Sequence, residues 1–191
     1  MFAVVLIIIR VVTMETYFYS FLLWNLFLAV LPYMLSQAIL LYFDGKTSKA
    51  ISYALWGTWL LLLPNAPYLI TDLIHLHNPH SNWLWFDLFM VFVFACNGVI
   101  LFVLSLNDFF TYQKIQKNRH LVTIIVCFLS GYGIYAGRFL RFNSWDLFLK
   151  PTTLFSQMGI SLGHAYTWLM SMAFGLFLWI SFNLFRWMRT S

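Results

Sequence analysis

Asp72 and His75, three residues apart in Leu69-Ile70-Thr71-Asp72-Leu73-Ile74-His75, offer an acid–base pair. Arg138 and Arg141, three apart in Gly137-Arg138-Phe139-Leu140-Arg141, offer paired cations. A carboxylate beside an imidazole suits proton transfer and is also the donor chemistry of many zinc sites. Asp72 and His75 are therefore the candidate catalytic residues. With His77 they are the side chains through which a metal would be held, but no standard spacing such as His-Glu-x-x-His is present, and no metal site is expected. Two guanidinium groups on one helix face could clamp a phosphate or a carboxylate through their planar donor forks. They could equally be cations that reach toward the headgroups and complement the C-terminal end of a helix. Asp146, in Asn143-Ser144-Trp145-Asp146, is expected to pair with one of them. Asn65, Asp87 and Asn143 complete the candidate ligand-binding set. Asp87 is explained as well by its place at a helix N-terminus, and Asn143 by a cap or turn.

These residues lie between apolar runs. Phe21–Phe43, Phe86–Phe109, Leu121–Leu140 and Leu162–Phe185 meet or approach the ~20 residues that cross a bilayer as a helix. Hydrophobic residues make up 62% of the chain and charged residues 9%, with a mean hydropathy of +0.79. A soluble domain carries about a quarter charged residues, so no water-facing shell could enclose this chain. The expectation is an all-α, polytopic transmembrane helical bundle, one domain spanning residues 1–191, with about six membrane segments. The run Met1–Val12 is short, has no basic leader and is followed by no small-residue cleavage site. It reads as a first transmembrane helix that lacks its beginning. Ala50–Leu63 is also short, and reaches Pro64-Asn65-Ala66-Pro67-Tyr68 before it could cross. Proline removes a backbone donor, and freed backbone groups cannot face lipid. This third spanning helix is thus expected to break at Pro-Asn-Ala-Pro, against other helices or a wet cavity, as in membrane proteins whose broken helices form sites. Beyond the break, Leu69, Ile70, Leu73 and Ile74 would form one face of a short interfacial helix, with Asp72 and His75 on another. His77, His80, Trp83 and Trp85 follow. Gly133 and Gly137 have the spacing of close helix packing.

The net charge of +5 does not indicate nucleic acid, because the basic residues sit in short connections between apolar runs. Lys46 and Lys49, then Lys114, Lys117 and Arg119, then Arg186 and Arg189 fall on one side if six segments alternate. The other side has Arg10, Arg138, Arg141 and Lys150. The positive-inside rule places the first set, and both termini, in the cytoplasm. Cys96 and Cys127 are each embedded in apolar sequence and read as packing residues without a disulfide framework.

Leu63-Pro64-Asn65-Ala66-Pro67-Tyr68 through Thr71-Asp72-Leu73, together with Gly137-Arg138-Phe139-Leu140-Arg141 through Asn143-Ser144-Trp145-Asp146, resembles the bacterial membrane family called domain of unknown function 1361. Trp24-Asn25-Leu26 and Trp85-Phe86-Asp87 extend the likeness over most of the chain. The resemblance implies a multi-pass protein of a bacterial inner or plasma membrane and no particular reaction or cofactor. Ser161-Leu162-Gly163-His164 shares Ser, Gly and His with an element of membrane lipid phosphatases but lacks their other elements, and is read as coincidence. Membrane lipids are the expected partners. Three functions fit: an enzyme or binding protein for an anionic amphiphile such as a lipid-linked phosphate on the outer face, a small transporter or transporter subunit, or a structural protein whose polar residues knit the outer loops. An open polar cavity would favour the first, and complete mutual pairing the last.

Overall fold

The computed structural model describes residues 2–42, 48–76, 83–113 and 118–190. His77, His80, Lys46, Lys114 and Lys117 lie outside them. All regular structure among the described residues is helical: α1 (Phe2–Met14), α2 (Phe21–Tyr42), α3 (Lys49–Leu62), α4 (Asn65–Tyr68), a 3-10 helix (Leu69–Leu76), α5 (Leu84–Gln113), α6 (Arg119–Arg138), α7 (Asp146–Leu149), α8 (Pro151–Ser161) and α9 (Ala165–Thr190). Four helical stretches are long and apolar enough to cross a bilayer: Phe18–Tyr42, Leu84–Gln113, Arg119–Arg138 and Ala165–Arg189. Their outer surfaces carry large exposed apolar side chains, among them Phe92, Ile124, Leu176 and Phe177, which lipid tolerates and water does not. The chain is a multi-pass membrane protein.

α5 is the central helix. It packs against α1, α2, α4, α9 and the 3-10 helix. α6 and α9 form an antiparallel pair whose most intimate contact places Gly131 against the backbone of Ser171 and Gly175, as small residues permit in membrane helix packing. α3 packs on α2, and its Trp59 stacks on Phe109 of α5 with ring centroids 5.0 Å apart. Beside that stack runs a directional hydrogen-bond chain. Trp59 Nε1 donates to Ser105 Oγ (2.7 Å), Ser105 lies 3.2 Å from Ser36 Oγ, and Ser36 donates to Asp108 Oδ2 (2.8 Å), which also accepts from Gln37 (2.8 Å). The carboxylate thereby terminates a row of donors drawn from three helices, the arrangement that makes a buried polar group tolerable.

Regular hydrogen bonding is interrupted at Leu63–Pro64. Leu63 N–H still reaches Trp59 C=O (2.9 Å), Pro64 has no donor, and Ala66 N–H turns back to Leu63 C=O (3.2 Å). Backbone angles stay in the right-handed helical region at Leu63, Pro64 and Leu69, so the chain keeps its sense while its winding tightens into the 3-10 helix. That tightening overturns the expected amphipathic face. At three residues per turn, Leu69, Asp72 and His75 share one side, and it is the inward one: Leu69 and Asp72 are buried while Ile74 is 66% exposed. The carboxylate therefore points into the protein, not toward the interface.

α4 reaches α5 because Gly98 has no side chain. A Cβ there would collide with the carbonyl group of Ala66, whereas a Cβ at Gly57 of α3 would meet nothing within 4 Å. Gly98→Ala should lose about 1–3 kcal/mol through overpacking, and Gly57→Ala should gain up to roughly 1 kcal/mol from helix propensity. Thermal unfolding of the two variants in detergent should move the melting temperature in opposite directions. Equal shifts would contradict this placement of α4.

Candidate functional site

Two residues of α6 that lack side chains form the seat of the site. Cβ atoms at Gly133 and Gly137 would lie 2.7 Å from Pro64 Cβ and 3.1 Å from the Tyr68 ring, respectively. The Pro-Asn-Ala-Pro-Tyr segment thus lies directly on the last turns of the helix that ends in Arg138. The 3-10 winding then carries Asp72 and His75 over the same end. Arg138 donates through Nη1 to the Tyr68 hydroxyl (3.4 Å) and approaches His75 Nε2 through Nη2 (3.1 Å). Its Nη1 lies 3.7 Å from Asp72 Oδ1, and Asp72 Oδ2 accepts from Asn25 Nδ2 of α2 at 2.8 Å.

The donor inventory fixes several states. A guanidinium has no acceptor, so His75 must present a lone pair at Nε2 and carry its proton on Nδ1. Burial lowers the His75 pKa, and the neighbouring Arg138 charge lowers it further, in agreement with a neutral ring. Burial raises the Asp72 pKa to about 6, against the opposing pull of the Asn25 hydrogen bond and the Arg138 charge. Asp72 is 1% exposed, and its Oδ1 is buried with no hydrogen-bond partner.

The remaining candidates divide. α6 ends at Arg138, and Arg141 sits beyond it with φ +59°. The helical spacing that would set the two cations side by side therefore does not operate. Arg141 is exposed and makes no hydrogen bond or ion pair among the described residues. Asp146 pairs with neither arginine among the described residues; its Oδ2 accepts the Asn143 N–H at 2.7 Å and closes the Asn143–Asp146 turn. Asn65 Nδ2 donates to Ser144 Oγ (3.3 Å), which donates to the Leu61 carbonyl (3.2 Å), so the two sequence motifs meet here as well. Asp87 belongs elsewhere. It forms a two-pronged ion pair with Arg10 of α1, through Nε to Oδ1 and through Nη2 to Oδ2 at 3.0 Å. Both side chains are buried, and the Tyr19 ring lies 5.7 Å from the guanidinium carbon. Ser161 is hydrogen-bonded to Tyr132 (3.0 Å) and His164 is exposed. His77 lies outside the described residues, and among those described no three His, Cys, Asp or Glu side chains converge as metal ligands.

A cavity of about 660 Å3 opens beside this cluster. Ala54, Gly57, Thr58 and Leu61 of α3 face Leu129, Tyr132, Gly133 and Ala136 of α6 across it, and Trp24, Asn25 and Leu28 of α2 form another wall. Asn25, Asn65, Tyr68, Asn143 and Ser144 also line it, and Tyr68 links the cavity to Arg138, which does not line it. Its volume is within the roughly 300–1,000 Å3 of small-molecule sites, which are mostly apolar with a few polar groups. Asn25, Tyr68 and Arg10 escaped the candidate set. Asn25 had a signal, since a lone amide in an apolar run is costly unless it has a partner. Arg10 had the same one.

The family model described as a protein of unknown function, DUF1361, matches residues 24–181. No curated protein and no solved structure matches the chain. The matched stretch includes Asn25, Asn65, Tyr68, Asp72, His75, Arg138 and Asn143, and leaves out Arg10.

Two carboxylates should respond differently to substitution. A folded-state pKa raised from 3.8 to about 6 means that Asp72 favours the fold most when protonated. Its contribution is full below about pH 4 and is lost as pH rises through about 6. His75, with its lowered pKa, acts in the opposite sense and loses its contribution as pH falls below 6.5. The difference in melting temperature between wild type and Asp72→Asn cancels the His75 effect. It should grow in favour of the variant from pH 4 to pH 7; a pH-independent difference would refute the assignment. Asp87→Ala strands the buried Arg10 cation and should cost about 3–5 kcal/mol, seen as a collapse of folded yield in size-exclusion chromatography.

Proposed function

The chain belongs to the family described as protein of unknown function DUF1361, and we propose that it binds one anionic amphiphile, a lipid-linked phosphate or a lipid headgroup, at the outer end of its helices. The observation that carries this reading is the cavity. It is apolar between α3 and α6, and amide- and hydroxyl-lined beside Arg138. An apolar chain would lie along Ala54, Gly57 and Leu129, with its headgroup at the Tyr68–Arg138 end. A purely structural role fits less well, because the buried Asp72 Oδ1 has no hydrogen-bond partner and only a 3.7 Å ion pair with Arg138. Anions satisfy guanidinium donors well, often through paired hydrogen bonds, and a headgroup phosphate would do so here without displacing any protein carboxylate from Arg141.

Orientation is part of the proposal. α1 and α3 would add two membrane segments to the four long ones, with Pro64–Pro67 within the outer half of the bilayer and both termini in the cytoplasm of a bacterial cell. Lys49, Arg119, Arg186 and Arg189 then lie toward the inner side. Of the outer cations, Arg10 and Arg138 each face a carboxylate, so the uncompensated positive charge is biased inward, as the positive-inside rule requires.

Binding of a polyprenyl phosphate to the purified protein, read by native mass spectrometry beside a neutral diacylglycerol, tests the reading. The phosphate should bind at least about tenfold more tightly, a difference of ~1.4 kcal/mol. Gly57→Phe, whose ring enters open space, should abolish binding without lowering the melting temperature. Arg141→Gly removes the cation at a left-handed backbone position that glycine favours, and should weaken binding severalfold with stability unchanged or raised. Equal binding of the neutral lipid, or unaltered binding by Gly57→Phe, would refute the proposal.

A further inference from the structure

The amides around the cavity say more about the headgroup than its charge does. Asn25 must aim Nδ2 at the Asp72 carboxylate, because two acceptors would repel. Ser144 gives its single proton to the Leu61 carbonyl, so it accepts from Asn65, which must aim Nδ2 at it. Both amide orientations are therefore fixed by their partners, and both leave a carbonyl oxygen, Oδ1, that no donor among the described residues reaches. Asn143 is exposed and its side chain makes no hydrogen bond among the described residues. The Tyr68 oxygen accepts from Arg138, which leaves its own O–H free to donate. All four residues line the same cavity, and no charged side chain does.

An ionised phosphate brings acceptors only. It would accept from the Tyr68 hydroxyl, whose oxygen Arg138 backs, and would present oxygen to oxygen at Asn25 and Asn65. A ligand that enclosed those carbonyls without supplying donors would leave them desolvated and unpaired, which is costly. Hydroxyl groups supply donor and acceptor together. Resting on the amphiphile reading above, we propose that the bound headgroup is a polyol carried on the phosphate, with hydroxyls that donate to Asn25 Oδ1 and Asn65 Oδ1 and exchange hydrogen bonds with Asn143. A glycerol unit and a glycosyl unit share this chemistry.

Two pairs of lipids with matched chains separate the possibilities: phosphatidic acid against phosphatidylglycerol, and a polyprenyl phosphate against its glycosyl-phosphoryl derivative. In titrations of the full chain in detergent, at least one hydroxylated member should bind about tenfold more tightly than its partner. Preference within the first pair assigns glycerol, and within the second a sugar. Asn65→Leu and Asn143→Leu should erase the difference in affinity between the hydroxylated lipid and its bare phosphate. Asn143, exposed and without a side-chain bond, keeps the test valid should Asn65→Leu fail to fold. If both members of each pair bind equally, or the variants weaken all four lipids alike, the polyol proposal falls and anion binding stands. If no lipid binds, both fall.

Discussion

Tyr68 and Pro64 press onto α6 where Gly133 and Gly137 have no side chains, and Ala66 presses onto α5 at Gly98. This close approach of a four-residue helix to two spanning helices governs the rest of the Arg138 end. It sets the start of the 3-10 helix, and the three-residue winding then fixes which side chains of Leu69–Leu76 turn inward. Were the segment one methyl group further from α6, Arg138 would face an empty gap instead of Tyr68, His75 and Asp72. Membrane helices associate without a hydrophobic driving force, through packing and polar contacts. Here the packing contact comes from missing side chains, and the polar contacts follow from it.

The same contact explains why α3 and α6 enclose a space. Both present small residues, Ala54, Gly57 and Thr58 on one and Gly133 and Ala136 on the other, of the kind that usually lets helices close. α4 is wedged against the C-terminal end of α6, and α3 leads into it through Pro64, so the small faces are propped apart. A gap between small residues is open volume, whereas a gap between leucines would fill with its own side chains. The helical faces that would otherwise seal the bundle thus become the walls of the cavity.

Much of this was legible in the amino-acid order, and the reasons for the rest are physical. The long spans follow from apolar length, and the polar motifs stand out as the interruptions between them. The face of Asp72 was misread because an α-helical period was applied to a segment that winds as a 3-10 helix. Over two turns that difference rotates a side chain from the surface to the interior. Arg141 was paired with Arg138 on the same assumption of an unbroken helix, yet α6 stops at Arg138 and Arg141 takes a left-handed conformation. Asp146 is expected to pair with Arg138 or Arg141, whereas its side chain accepts the Asn143 N–H three residues away. Asp87 and Arg10 are 77 positions apart, and nothing local to either one names the other.

Four buried acids show how a membrane protein disposes of negative charge, and their differences distinguish support from site. Asp87 is matched by a guanidinium in a two-pronged pair. Asp108 ends a row of neutral donors. Asp146 holds a backbone N–H of its own turn. Each of these arrangements compensates the charge from within the protein, and each is what stability alone would select. Asp72 is different: one oxygen is satisfied by Asn25, while the other is buried and falls short of hydrogen-bond distance to the arginine beside it. Moving Arg138 closer would pull it from Tyr68 and His75, so the cluster holds more acceptors than one guanidinium serves at full strength. A third party that brings donors to Asp72 or acceptors to Arg138 relaxes this competition.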